Sequence, residues 1–507
     1  MKRADLTHPL KIDTLPVGRG LVGLTLSPGE KDPGLHGYPR DRDLDADLAV
    51  ITAWRPTVVI TLIEPDVFGP QTARLGEKLR AAGLECRRLP FRDLDAPDGS
   101  FEAVWTFAGA ELRDLLSRGG RILVHCRGGR GRAELLASRL LVELGESPQR
   151  ALQRVRQARR GAVETPAQER YILSLEAVGE DPDLASRRLA CLAAGALGDA
   201  LGYPVKFFSL LEIQRRFGDD GILEPPVDAS GRRRVSDETQ MTLFTAQGLA
   251  DALEPTVEAR TASQRLALLE WLETQEGEFR PGRKGLLAYP SLWVRRAPDA
   301  TCLSALRAGG DGDPARRINN AKGCGAVIRM APAGLLPGIS ADEAFELGIR
   351  GATLTHGHSS GRLPAGVLAS LVASLMSGRP LDASWDEARR QLAGRRGAVE
   401  TLRALDQAVD LAARDRISDA EAICRLGEGW TGEEALAIAL FAALRGEDLV
   451  DALRIAANHG GASDTTATIA GNIRGAEEGL FGLPLEWIEG LDAFDALVEV
   501  ARRWPHV

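Results

Sequence analysis

No stretch of this sequence stays apolar for the roughly 18 residues a membrane-spanning helix needs, so a membrane protein is not expected. The first residues, MKRADLTHPLKIDTLPVG, lack the apolar core of a secretory signal. Cysteines are few and scattered, at 86, 126, 191, 302, 324 and 424, with no CxxC pair. That spacing offers no disulfide framework and points to a reducing cytoplasm. Positive charge is not in excess: 63 Lys and Arg stand against 71 Asp and Glu, a net charge of −8. A general nucleic-acid binder would usually be basic, so a nucleic-acid partner is not expected. Internal repeats and low-complexity tracts are absent. What is present is an ordinary globular composition, 44% hydrophobic and 26% charged, over 507 residues. Such a length holds two to four domains, each able to bury a core.

Three apolar runs near the start have the length of buried strands: GLVGLTL (20–26), PTVVITLI (56–63) and GRILVHC (120–126). Helical patterns at 43–54 and 71–83 separate them. Strands alternating with helices predict an α/β domain with a central, mostly parallel sheet flanked by helices. Ser147-Pro148 and Thr165-Pro166 each open a helix, and Gln168 stands where a capping-box glutamine would. The polar stretch from 179 to 187 is expected to be a linker between a domain at 1–178 and another at 188–507. In the later domain Ala and Leu recur at helical spacing, which predicts an all-α fold. Residues 254–316 have the texture of a looser insertion.

The strand at 120–126 ends in His125-Cys126. Arg127, Gly128, Gly129, Arg130 and Gly131 follow, then Arg132 and a long helical pattern up to Gly145. Glycines let successive N–H groups turn inward as an anion-binding nest at a helix N-terminus. That field lowers a cysteine pKa from about 8.5 into the range of roughly 3.5–7.5, giving a nucleophilic thiolate. An arginine at this position holds phosphate oxygens through its planar fork.

HCxxGxxR is the pattern of the protein-tyrosine and dual-specificity phosphatases, and residues 15–175 resemble them, specifically the kinase-associated branch. LPFRDLDAPD (89–98) resembles the loop that carries the general acid. The resemblance places that role on Asp93, with Asp95 and Asp98 close by. RRGAVETPAQERYI (159–172) resembles the segment after the catalytic helix; within it Gln168 reads as a helix cap rather than a water-positioning residue. The resemblance implies that Cys126 attacks phosphorus, that Arg132 and the loop 127–131 bind the phosphoryl group, and that no cofactor is needed. One position departs: Ala133 stands where the family has Ser or Thr, whose hydroxyl helps the cysteine leave.

Five segments of the second domain, GALGDALGYPVKF (195–207), VSDETQMTLFTAQGL (235–249), NNAKGCGAVIRMAPAGLL (319–336), THGHSSG (355–361) and NHGGASDTTATIAGNIRGAEEGLFGLP (458–484), together resemble the ADP-ribosylglycohydrolase family. The resemblance implies two Mg²⁺ ions held by carboxylate and hydroxyl oxygens. Carried over by position, the metal set becomes Ser236, Asp237, Glu238, Asp464 and Thr465. Lys206 falls where the family has a glutamate, and Ala462 and Ser463 fall within its GDxDS/T run. The result is a site of net charge −2 where the family has −5, and at most one well-bound Mg²⁺ is expected. Gly323, Gly325, His356, Gly460 and Gly461 are the expected ligand contacts. His356 and His358 lie two apart, the wrong spacing for two metal ligands on one helical face.

The expected whole is a two-domain hydrolase, a phosphatase joined to a domain that binds or hydrolyses an ADP-ribose-type group. Its partner would be a phosphorylated or ADP-ribosylated substrate. A fully bifunctional phosphatase/glycohydrolase and a non-catalytic ADP-ribose-binding regulator are the alternatives.

Overall fold

The computed structural model describes residues 9–32, 40–64, 74–128 and 130–504. It divides into two compact units, Met1–Ala185 and Ser186–Val507. The division falls inside the stretch expected as a linker, but most of that stretch is helical. A helix, Pro182–Gly202, begins there because Asp181 Oδ1 accepts from the backbone of Asp183 and Leu184, with proline at the first helical position.

The first unit is built on a sheet ordered β1-β2-β7-β5-β6 among the described residues. β1 (Asp13–Val17) and β2 (Gly20–Thr25) form an antiparallel hairpin. β5 (Val58–Thr61), β6 (Glu85–Arg88) and β7 (Arg121–His125) are parallel to one another, and β2 runs parallel to β7. A further short pair, β3 (Lys31–Asp32) and β4 (Arg40–Asp41), lies outside that sheet. The three expected strands are the three inner ones. They read as continuous apolar runs because both faces of a parallel sheet are covered; Val22, Leu24, Val59, Ile60, Ile122 and Leu123 are fully buried. The edge strands β1 and β6 carry polar residues and were not legible.

Helices follow the strands: α1 (Leu44–Trp54), α2 over residues 74–81, α3 (Gly99–Ser117), α4 (Arg132–Glu143), α5 (Pro148–Ala158) and α6 (Pro166–Leu173). The expected start of α2, residues 71–73, lies outside the described residues. Gly145 ends α4 with φ +102°, a conformation glycine takes at little steric cost. Ser147 precedes α5 as expected but makes no capping bond.

The second unit is helical among the described residues. The expected loose insertion contains a 20-residue helix, Val257–Glu276, capped by Thr256, and a shorter one, Ala300–Ala308, capped by Asp299, with short 3₁₀ turns and loop between them. Glycines govern the central packing. A Cβ on Gly198 or Gly202 would meet the backbone of Ala467 or Ser463, and one on Gly471 or Gly475 would meet the backbone of Ala194 or Ala190. The helices Pro182–Gly202 and Ser463–Glu478 therefore touch backbone to backbone. That close approach brings the chain around 199–207 against Asp464.

Candidate active sites in the two units

In the first unit the parallel register sets His125 beside Thr61, and their side chains meet at 2.7 Å. Burial, then the charge of Arg132, pushes the His125 pKa down to about 4, so the ring is neutral at physiological pH. Cys126 follows at the end of the central strand and is buried. The loop after it is tied on two sides. Ser27 N donates to Arg127 O, and Val163 N donates to Arg130 O at 2.9 Å. Arg127 also stands 3.7 Å from the buried carboxylate of Glu30. Gly129 lies outside the described residues; Arg127, Gly128, Arg130 and Gly131 complete the turn into α4.

Arg132 is buried and fastened. Its Nη1 donates to Leu62 O at 3.0 Å and to Phe91 O at 2.9 Å, and lies 3.2 Å from Glu64 Oε2. Its Nε stands 3.2 Å from Asp93 Oδ1. The structure thus brings Asp93 onto the arginine that starts α4. Asp98 instead caps α3, accepting from Phe101 N. Gln168 is not the capping-box residue. The cap is Thr165 Oγ1, which accepts from Gln168 N, while the Gln168 side chain reaches Asp95 O at 3.4 Å. A Cβ on Gly131 would lie 3.2 Å from the Gln168 amide, so Gln168 packs on the loop itself. Thr165 Oγ1 also donates to Leu94 O, which clamps the acid-bearing loop to α6. Glu64 was missed because a single acid after a strand carries no pattern.

In the second unit, Ser236 caps the helix Asp237–Ala250. Glu238 Oε1 accepts from Thr465 Oγ1 at 2.7 Å. Asp464 Oδ1 accepts from Thr465 N at 2.8 Å. Lys206 Nζ lies 2.7 Å from Asp464 Oδ2 and 3.5 Å from Glu238 Oε1. Asp237 Oδ2 accepts from Asp299 N, and its Oδ1 is buried with no hydrogen-bond partner. Asp199, within the quoted GDALG segment but not singled out, accepts three bonds from Ser236 and Thr239. Burial disfavours charge and raises three of these carboxyl pKa values: Asp199 to about 6, Glu238 to about 8, and Asp237 well above the usual range. Burial opposes the Lys206 charge, but Glu238 and Asp464 outweigh it and hold the ammonium charged.

The expected ligand contacts converge on this cluster. Gly323 pairs with Thr431, and Cys324 Sγ lies 3.7 Å from Thr465 Oγ1. A Cβ on Gly323 would lie 3.5 Å from His356 Nε2 and 3.9 Å from Asp299 Oδ2, and one on Gly325 would crowd the Asp299 carboxylate. His356 Nε2 is buried without a hydrogen-bond partner, and burial lowers the His356 pKa to about 4. Gly461 adopts φ +132°, and Gly460 packs on Phe208 and Ser209. Two aromatics not foreseen stand beside Lys206: Phe207, 68% exposed, stacks on Trp430 with ring centroids 5.4 Å apart.

Among the described residues no group of three or more His, Cys, Asp or Glu is arranged to hold a metal ion. The residues present do not fit a pair of divalent ions, because the Lys206 ammonium already faces the oxygens of both Asp464 and Glu238.

A helical unit with a buried acid–hydroxyl cluster, closed by glycine-rich segments from distant parts of the chain, has the build of a ligand-binding hydrolase domain. Residues 180–506 match the family model described as ADP-ribosylglycohydrolase, and the chain belongs to that family. It is 28% identical over 319 residues to an uncharacterized protein of Archaeoglobus fulgidus, covering 62% of this chain and 94% of that one. It is 25% identical over 320 residues to the ADP-ribosyl-[dinitrogen reductase] glycohydrolase of Rhodospirillum rubrum, covering 61% of this chain and 92% of that one. A separate similarity, 32% identity over 87 residues, links it to a probable protein tyrosine phosphatase type IVA A of Dictyostelium discoideum; it covers 17% of this chain and about half, 52%, of that protein. No helix among the described residues is long and apolar enough to cross a membrane.

Proposed function

We propose that this chain is a two-domain hydrolase: a cysteine-dependent phosphatase joined to a domain that binds an ADP-ribose-type group. The observation that carries the first half is the Arg132–Asp93 contact beside the cysteine loop. An incoming phosphoryl group takes the place of Asp93 on the Arg132 guanidinium, and its remaining oxygens face the loop N–H groups. This releases the Asp93 carboxyl toward the leaving oxygen. Released from Arg132, the Asp93 carboxylate takes up a proton from solvent; Cys126 Sγ then forms the S–P bond as the P–O bond to the leaving group breaks, and Asp93 delivers that proton to the leaving oxygen. In the second step Asp93 takes a proton from water, the water oxygen bonds to phosphorus, and the thiolate departs. Ala133 supplies no hydroxyl to that departing sulfur, so breakdown of the cysteinyl phosphate is the slow step.

The second half is supported by the family match and by the contacts that link Gly323, His356 and Asp299 to Asp237, and Asp464 to Lys206, in one buried cluster. The substrate of the whole protein is then a molecule or protein that is phosphorylated, ADP-ribosylated or both. The test is p-nitrophenyl phosphate turnover by wild type and Cys126→Ser, beside ADP-ribose binding measured calorimetrically. Equal turnover by the two proteins overturns the phosphatase, and no ADP-ribose binding overturns the second assignment.

A further inference from the structure

The acid cluster of the second unit holds a cation of its own. The Lys206 side chain is only 10% exposed, and its ammonium lies between Asp464 Oδ2 and Glu238 Oε1. This is a built position, not a surface lysine folded inward. Lys206 N donates to Gly202 O, Phe207 N to Gly461 O and Phe208 N to Val205 O, which ties the segment at three successive residues. Phe207 is held at φ +72°, a strained conformation for an aromatic residue, and its ring is stacked on Trp430. The backbone around Lys206 is thereby fixed with its side chain directed into the acid cluster.

A divalent ion needs oxygens on every side at roughly 2.0–2.6 Å. An ammonium 2.7 Å from Asp464 occupies that volume and repels a second cation. We infer that Lys206 is the resident cation of this cleft, in place of a divalent metal, and that the cleft binds its hydroxyl-bearing, ADP-ribose-type ligand without Mg²⁺. The buried, unpartnered oxygens Asp237 Oδ1 and Asp199 Oδ1 remain to accept ligand hydroxyls. The ligand class rests on the proposed function; the cation does not.

The full-length protein is titrated with MgCl₂ by calorimetry, as wild type, Lys206→Arg and Lys206→Glu, and ADP-ribose is then titrated with Mg²⁺ or with EDTA. Wild type and Lys206→Arg are expected to take up no Mg²⁺ in this cleft and to bind ADP-ribose equally in both media. Lys206→Glu is expected to gain Mg²⁺ uptake, with ADP-ribose affinity about tenfold or more better in Mg²⁺ than in EDTA. Stoichiometric Mg²⁺ uptake by wild type that Lys206→Arg does not change, whether one ion or two, or loss of wild-type ADP-ribose binding in EDTA, overturns the inference. If wild type binds no ADP-ribose in either medium, the ligand assignment fails, and the Mg²⁺ titrations of wild type and Lys206→Arg still decide the cation.

Discussion

Asp93 Oδ1 stands 3.2 Å from Arg132 Nε, joining a loop that is half in solvent to a guanidinium that is almost wholly buried. The Asp93 side chain is 53% exposed and that of Arg132 1%. The arginine is already committed to Leu62 O, Phe91 O and Glu64, so Asp93 is the partner a phosphate most readily displaces. In the proposed phosphatase the acid is thus held at the group that binds phosphate and is released by the incoming phosphate.

Asp93→Asn is expected to slow phosphoryl transfer from unactivated aryl phosphates by about 10²–10⁴-fold, the usual contribution of a positioned acid. With leaving groups of low pKa the loss shrinks toward nothing. The check is a series of aryl phosphates of graded leaving-group pKa. A loss independent of leaving group would assign Asp93 to binding instead.

Ala133→Ser is expected to speed breakdown of the cysteinyl phosphate. Ala133 is fully buried on the first turn of α4, directly after Arg132. Rapid-quench measurements on wild type should show a burst of phenol followed by slow turnover. In the variant the steady-state rate should rise and the burst shrink. An unchanged burst and rate would place the slow step elsewhere.

Glu134 makes stability depend on pH. It is fully buried, with neither carboxyl oxygen in a hydrogen bond, and Arg159 Nε is 3.2 Å away. Burial raises its pKa to about 7, an effect Arg159 only partly offsets. The folded state therefore binds this proton more tightly than the unfolded state. The resulting stability is fully present below about pH 4.5 and is lost as pH rises to about 7. Glu134→Gln has no such loss. Urea unfolding from pH 4.5 to 8 should show the variant gaining on wild type by on the order of 3 kcal/mol, then levelling. A flat difference would mean that Glu134 stays ionised.

Gly198→Val tests the helix contact that assembles the second cleft. Its side chain would enter the Ala467 backbone. Overpacking of this kind costs about 1–3 kcal/mol, and more where backbone cannot yield. Thermal unfolding should shift down for the second unit, while phosphatase turnover, which belongs to the first, is retained. An unchanged transition would mean that the two helices can separate freely.

Local pattern carried much of this protein. The inner strands, the cysteine loop, the Pro-led helix starts and the glycine-rich segments are each written within some 10–20 consecutive residues, where periodicity and turn chemistry act. The family resemblance grouped Lys206 with Glu238 and Asp464, but no local pattern does so and none gave the contacts between them. Residues 206, 238 and 464 meet only because glycine-faced helices pack backbone to backbone, a relation between distant parts of the chain. The same holds for Gln168 on Gly131, for Glu64 on Arg132 and for the Phe207–Trp430 stack. Asp98 and Asp93 differ little as neighbours in sequence; one became a helix cap and the other the arginine's partner because only tertiary packing sets which carboxylate faces the loop. The sequence by itself determined the elements and the chemical groups they carry. The tertiary structure decided which groups share a cleft, because side-chain charges interact over a few ångströms of space irrespective of their separation along the chain.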